Sequence, residues 1–238
     1  MNYASLVTAI EDITENTFTV TQLNTFIKHA ENTIFQAIKF PAMRLIDTTD
    51  IIPSDGSFIL LNNAESATYL YTDSLLISVT GTASYTPLIQ KDYSFIFDAY
   101  PDLNTDTGKP KYYALYQPGS AADITPESSY HSIQVLLGPK QDANYTLLHT
   151  YYTYPESITK GMTDKTGNNT SYLGDNFDNV LLDGALVQAA RFMKAEGDIV
   201  AMYDQQFGAS LKLAQELSAN LLKDGYTPEQ SPIQAPVA

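Results

Sequence analysis

Tyr145-Thr146-Leu147-Leu148-His149-Thr150-Tyr151-Tyr152-Thr153-Tyr154 is a run of β-branched, aromatic and aliphatic side chains stopped by Pro155. It closes a series. Upstream, strands are expected at Arg44–Ile52, Phe58–Leu61, Ala67–Tyr71, Leu75–Thr80, Ser84–Ile89, Tyr112–Gln117 and Ser132–Leu137. Gly, Pro, Asn or Asp punctuates them about every eight to twelve residues. Many short strands at that spacing predict an antiparallel β-sandwich or small barrel. Asp92–Ala99 reads two ways: its residues suit a strand, yet Asp92 is placed to cap a short helix that stops at Pro101.

On either side of this region the apolar period changes to that of a helix. Thr19-Val20-Thr21-Gln22 fits a capping box, with Phe18 and Leu23 at the staple positions. Leu23, Phe26, Ile27, Ala30, Ile34 and Ile38 then form one apolar face, which Pro41 ends. A shorter amphipathic segment, Tyr3–Ile13, precedes it. After Pro155 comes a polar stretch, Glu156–Asn176, of a length that suggests a binding loop. Phe177–Ala195 is apolar almost all round and should be buried. Asp198–Lys223 carries Val200, Tyr203, Phe207, Leu211, Ala214, Leu217 and Leu221 in one stripe, with Gly225 as its cap.

The expected fold class is therefore α+β: a helical bundle from the N- and C-terminal helices, with an inserted antiparallel β-sandwich or barrel-like region. The expected boundaries are 1–42 for the first helices, 43–155 for the β domain and 156–176 for the polar loop. Residues 177–225 complete the bundle and 226–238 form an extended tail.

The 238 residues carry 13 basic against 27 acidic side chains, a net charge of −14, with two arginines and no basic cluster. That composition argues against a protein that grips nucleic acid through its phosphates. With no cysteine there is neither a disulfide framework nor a thiol nucleophile. Met1–Ile13 lacks a basic region followed by an apolar run, and no stretch reaches the length of a membrane span, so a soluble cytoplasmic chain is expected.

No motif for catalysis presents itself. His29, His131 and His149 fall in three different elements and share no metal-ligand spacing, and the two strand histidines are expected to point outward. Asp102–Gly108 resembles the start of a calcium loop, but its glycine is one place late and Tyr113 stands where a bidentate glutamate is needed. An Asx-rich turn is the better reading. We therefore expect no enzyme, no metal and no cofactor. The distinctive feature is 17 tyrosines without a tryptophan. Tyr69, Tyr71, Tyr112, Tyr113, Tyr116, Tyr151, Tyr152 and Tyr154 would line both strand faces, one filling a core and the other offering flat amphipathic area to a partner.

The order of segments resembles the head–tail adaptor (head-completion, connector) proteins of tailed bacteriophages. The helix Leu23–Ile38, Pro87-Leu88 through Phe95 to Tyr100-Pro101, and Gly108-x-Pro110-x-Tyr112-Tyr113-Ala114 are similar to family segments. So are Tyr145-x-Leu147 with Tyr151-Tyr152-x-x-Pro155, Gly184-Ala185-Leu186 with Ala189 and Ala190, and Tyr203, Phe207 and Leu211. By this resemblance Asp92–Ala99 is helical. It also implies a virion protein of the neck, assembled in the host cytoplasm as a homo-oligomeric ring of usually twelve subunits. Such a ring docks on the portal protein, extends a channel through which DNA passes without specific binding, and presents a surface to the next tail or nozzle component. The Glu156–Asn176 loop and the C-terminal tail depart from the family pattern.

Tyr226 to Ala238 holds Pro228, Pro232 and Pro236 and one charge, Glu229. It is too short for a core of its own and too apolar to be a solvating tail. We expect Tyr226, Pro228, Pro232, Ile233, Pro236 and Val237 to bind the portal or a neighbouring subunit. The alternative for the whole chain is a carbohydrate- or receptor-binding β module of a virion or cell surface, supported by the tyrosines and the sandwich pattern.

Overall fold

A computed structural model describes residues 1–51, 58–62, 69–102, 105–116 and 132–223. The chain forms two compact units, one of Met1–Met43 with Pro155–Ala238 and the other of Arg44–Tyr154.

In the helical unit, α1 (Tyr3–Thr14) and α2 (Val20–Ala37) each begin with a capping box, Asn2 with Ser5 and Thr19 with Gln22. Both boxes satisfy amide donors that a first helical turn leaves unpaired. Ile38 caps α2, and Pro41 opens a 3₁₀ turn, Pro41–Met43, rather than ending the helix itself. The third helical run is divided: α4 (Tyr172–Asn176) and α5 (Asp178–Phe192) meet at Phe177. Phe177 lies 4.9 Å from Phe40 and 6.0 Å from Tyr172 between ring centroids, so an aromatic cluster fills the joint. α6 (Gly197–Lys223) follows.

α5 is the central helix, packed against α1, α2 and α6. It buries Val180, Leu181, Ala185, Leu186, Val187, Ala189 and Ala190 together with Asp183 and Gly184. At Gly184 a Cβ would sit 3.0 Å from both the Ala30 Cβ and a Phe207 ring carbon, so the glycine sets how closely α2 and α6 approach α5. Burial is not all round, however. Phe192, the last residue of α5, is 52% exposed although its ring lies 6.2 Å from Phe18 and 5.3 Å from Phe26 between centroids.

The Glu156–Asn176 stretch is not a free binding loop. It buries Ile158, Thr159, Ser171 and Leu173 and includes α4. Its carbonyls at Gly167 and Asn169 accept the Ala4 and Tyr3 N–H groups at 3.0 and 2.9 Å. Asn24 Nδ2 donates to the Met162 carbonyl, and Lys165 Nζ to Glu11 Oε1 at 2.6 Å. Several of its polar side chains bond within the stretch, as Ser157 with Thr159, Thr166 with Asp164 and Thr170 with Asp175, while Lys165 reaches α1.

The second unit is a sandwich of two four-stranded sheets. One has the order β1 (Arg44–Ile51), β8 (Tyr145–Thr153), β3 (Tyr69–Val79), β4 (Thr86–Pro87). The other runs β2 (Phe58–Asn62), β7 (Ser132–Gly138), β6 (Tyr112–Tyr116), β5 (Ile89–Gln90). The strand pairs are antiparallel, as expected of the sandwich, with one short parallel pair, β5 with β6. Two expected strands, Ala67–Tyr71 and Leu75–Thr80, belong to the single β3, whose bulges at Tyr69/Tyr71 and Thr72/Ser74 absorb the irregularity. Ile51, Leu75, Ile77, Tyr145 and Leu147 from the first sheet meet Tyr113, Val135 and Leu137 from the second to form the core. The short helix α3 (Tyr93–Ala99), capped by the Asp92 side chain, covers the other face of the second sheet, with Ile96 on Ala114 and Leu136. The ambiguous Asp92 segment is thus helical, as the resemblance implies.

Candidate interaction surfaces

Each face of a helix can be followed residue by residue, and α6 has two apolar ones. Val200, Tyr203, Phe207, Leu211 and Ala214 turn toward the unit, Ala214 fully, and Ser218 beside them donates to the Lys39 carbonyl at 2.8 Å. Ile199, Met202, Leu213 and Leu217 are all exposed. Spacings of three, eleven and four bring these four onto one stripe along α6, with Gln206, whose amide donates to Asp183, lying between Met202 and Leu213. Leu217 was expected in the inward stripe and does not belong there. The sequence reading missed Ile199, Met202 and Leu213, because an amphipathic pattern is satisfied by one apolar face and a second hides among the intervening positions. Leu221 and Gly225 lie where side chains are outside the described residues.

In the β unit, the outer face of the first sheet carries Tyr71 stacked on Tyr152 at 4.8 Å, beside the Arg44–Asp73 ion pair. Ile46, on β1, is 64% exposed. On the second sheet, Tyr93 lies 5.0 Å from Phe97 and 5.2 Å from Tyr116, Phe95 stacks edge-on to Tyr112, and the Lys91 ammonium sits over the Phe95 ring. The tyrosines divide as expected between core and surface. Tyr113 and Tyr145 are buried, whereas Tyr71, Tyr85 and Tyr93 are exposed.

The histidines were expected to be peripheral, and one is not. His149 is 4% exposed and faces inward, stacked on Tyr151 at 4.7 Å, with Nε2 2.9 Å from Thr72 Oγ1. It occupies the same face of β8 as Tyr145 and Leu147, so strand alternation puts it inside. Burial lowers its pKa to about 4 although Asp47 opposes the shift. Thr72, His149 and Asp47 have the residue types of a nucleophile, base and orienting acid. Their geometry serves another purpose. The Thr72 hydroxyl is also bonded to Tyr69 Oη at 2.8 Å, and Asp47 Oδ1 accepts from the Thr48 N–H. A histidine held neutral down to acidic pH is a packing residue and a weak base. His29 is exposed on α2, and His131 lies outside the described residues.

Around the expected Asx turn, the Asp102 carbonyl accepts from Thr105 and Asp106, and Gly108 N–H reaches the Lys140 carbonyl at 2.7 Å. Residues 103 and 104 are outside the described residues, and no group of acidic or histidine side chains among those described is arranged to hold a metal. The tail residues Tyr226, Pro228, Pro232, Ile233, Pro236 and Val237 are likewise outside them. No described helix is long and apolar enough to cross a membrane.

A model of the SU10 adaptor protein family matches residues 1–229. The chain belongs to the SU10 adaptor family. No curated protein matches it. Membership spans the helical unit and the β unit alike, so the resemblance to phage head–tail adaptors read from separate short segments holds across the chain. An SU10 adaptor is a structural component of a virion that works through contacts with head and tail parts. Exposed apolar stripes and tyrosine surfaces are what such a role requires.

Proposed function

We propose that this adaptor assembles as a ring of twelve copies in the phage neck, docks on the portal, extends the DNA channel and receives the next tail component. The observation that carries the proposal is the outward stripe Ile199, Met202, Leu213 and Leu217 on α6. An apolar stripe on a helix suits a neighbouring apolar surface, and a second copy of this chain supplies one at every position of a closed ring. A head-to-tail contact of this kind repeats around the ring, so modest single interfaces add up. The chain acts through these interfaces and has no reaction to perform.

DNA passes the ring without adhering, in keeping with 27 acidic against 13 basic residues. The tail, through Tyr226, Pro228, Pro232, Ile233, Pro236 and Val237, serves as an arm that engages the portal or a neighbouring subunit. Negative-stain images and native mass measurement of the purified protein, alone and mixed with a portal, test the reading. Rings or portal-dependent assemblies are expected. A monomer indifferent to the portal that binds a glycan would replace the adaptor reading with that of a carbohydrate-binding module.

A further inference from the structure

The outward stripe of α6 has a polar side chain at its middle. Gln206 stands seven positions after Ile199 and seven before Leu213, so it shares their face of the helix. Its amide nitrogen donates to Asp183 Oδ1 of α5 at 2.9 Å. Asp183 is only 8% exposed, whereas Gln206 is exposed. The contact leads from a buried carboxylate out to the surface that Ile199, Met202, Leu213 and Leu217 occupy.

The chemistry of the pair fixes which way the amide faces. A carboxylate accepts hydrogen bonds and has none to give, so it takes the nitrogen end of the glutamine. The carbonyl Oε1 is thereby turned away from Asp183. A freely rotating surface glutamine offers a partner either a donor or an acceptor. Gln206, held in this way, presents its acceptor.

Apolar contact is non-directional. The four apolar side chains alone would receive a neighbouring copy at several staggers. Each stagger sets a different rotation between copies, and so a ring of different size or an open chain. A glutamine carbonyl within the stripe removes that freedom. Covered by apolar surface without a donor, it weakens the contact roughly tenfold to a hundredfold. Opposite a donor it is satisfied. A single polar group in an apolar seam fixes register in coiled coils for the same reason.

We propose that Gln206, positioned by Asp183, sets the register between neighbouring copies and with it the number of subunits in the ring. The neighbour brings a hydrogen-bond donor to Gln206 Oε1 at the one stagger that closes. This rests on the reading of the stripe as the subunit contact, and names what selects among the staggers that the stripe would accept.

Native mass measurement of the purified full-length chain counts the subunits. The parent should close to a single ring size. Gln206→Leu removes the acceptor and keeps the bulk, but leaves the buried Asp183 without its donor. The double variant, Asp183→Leu with Gln206→Leu, replaces both partners by apolar groups and so avoids an unpaired carboxylate. Both variants should still assemble, spread over two or more ring sizes or open chains. A merely structural pair would move the melting temperature and leave the subunit count alone. A double variant that closes to the parent's single size, or one that stays monomeric, overturns the proposal. A parent that closes only on a portal also overturns it, because the portal then sets the count, and the adaptor reading stands. If Leu213→Glu assembles like the parent, the stripe is not the subunit contact and the register proposal falls with it.

Discussion

Glu31, a carboxylate on α2 that is 3% exposed, accepts the backbone N–H of Ile158 through Oε1 at 3.0 Å. The pair ties the second helix to a segment 127 positions later in the chain. Burial raises the Glu31 pKa against the opposing pull of Ser157, the Ile158 amide and Lys28. A folded-state pKa above the unfolded one means the native protein holds this proton more firmly. Stability from this group therefore falls as pH rises from the ordinary carboxylate range through the raised value, and is flat beyond it. Glu31→Ala leaves a buried amide without its acceptor and should cost about 1–3 kcal/mol. Glu31→Gln retains an acceptor and removes the buried charge. Its melting temperature at pH 7 should match or exceed that of the parent, and the acid-side slope should flatten. A Gln variant as unstable as the Ala variant would show that the charge itself is needed.

His149 gives the opposite slope. With its pKa lowered to about 4 from 6.5, the unfolded chain takes up the proton first. The stability present above pH 6.5 is lost as pH falls toward 4, by roughly 3 kcal/mol at most. Denaturant midpoints measured between pH 4 and 7 should show this loss, and His149→Phe should abolish it. A parent and variant with parallel pH profiles would contradict the buried neutral histidine.

The central helix separates two substitutions that look alike in sequence. Leu186 is buried in α5, and Leu186→Ala should cost about 2–5 kcal/mol. Phe192 is half exposed, so Phe192→Ala should cost much less, though it loses contacts with Phe18 and Phe26. Equal falls in melting temperature would mean that the end of α5 is covered after all.

The outward stripe of α6 can be altered without touching the core. Leu213→Glu, at a position 59% exposed, should shift the melting temperature by no more than a degree or two. It should abolish ring formation, because a charge at the centre of a helix seam is left unpaired against apolar residues. Sedimentation velocity reads both states. A Leu213→Glu protein that still assembles would exclude this stripe as the subunit contact.

Duplex DNA should not bind the purified protein at physiological salt, given the net charge of −14. A gel shift at micromolar protein that weakens steeply with added salt would reveal a basic groove and refute this.

Much of the fold could be read from the residues, since the signals are local. The Thr19 capping box, the helical period from Leu23 to Ile34 and the strand run Tyr145–Thr153 each depend on neighbours within a few positions. What escaped depended on distant partners. The merging of two expected strands into β3 is fixed by pairing with β8, and the inward side of His149 by which face the second sheet covers. Asp92–Ala99 has strand propensity but folds as a helix because Ile96 has Ala114 and Leu136 beneath it. The candidate surfaces were the least legible part. Exposure of Ile199, Met202 and Leu213 follows from how α6 lies on α5, which composition does not encode.

The carbonyls of Gly167 and Asn169 complete the first turn of α1, and this sets a timetable on the ribosome. The β unit is one continuous stretch, Arg44–Tyr154, and has its whole sequence once that stretch has emerged. The first two helices are synthesised earlier yet wait for partners that come only after the β unit has been made. At bacterial translation speeds that delay is on the order of ten seconds. During it, the apolar faces of α1 and α2 are uncovered while later parts of the chain acquire their fold. A nascent chain halted once Tyr154 has cleared the ribosomal exit tunnel should therefore present a folded β unit preceded by two helices available to chaperones. Helices made before the β unit thus find their places after it.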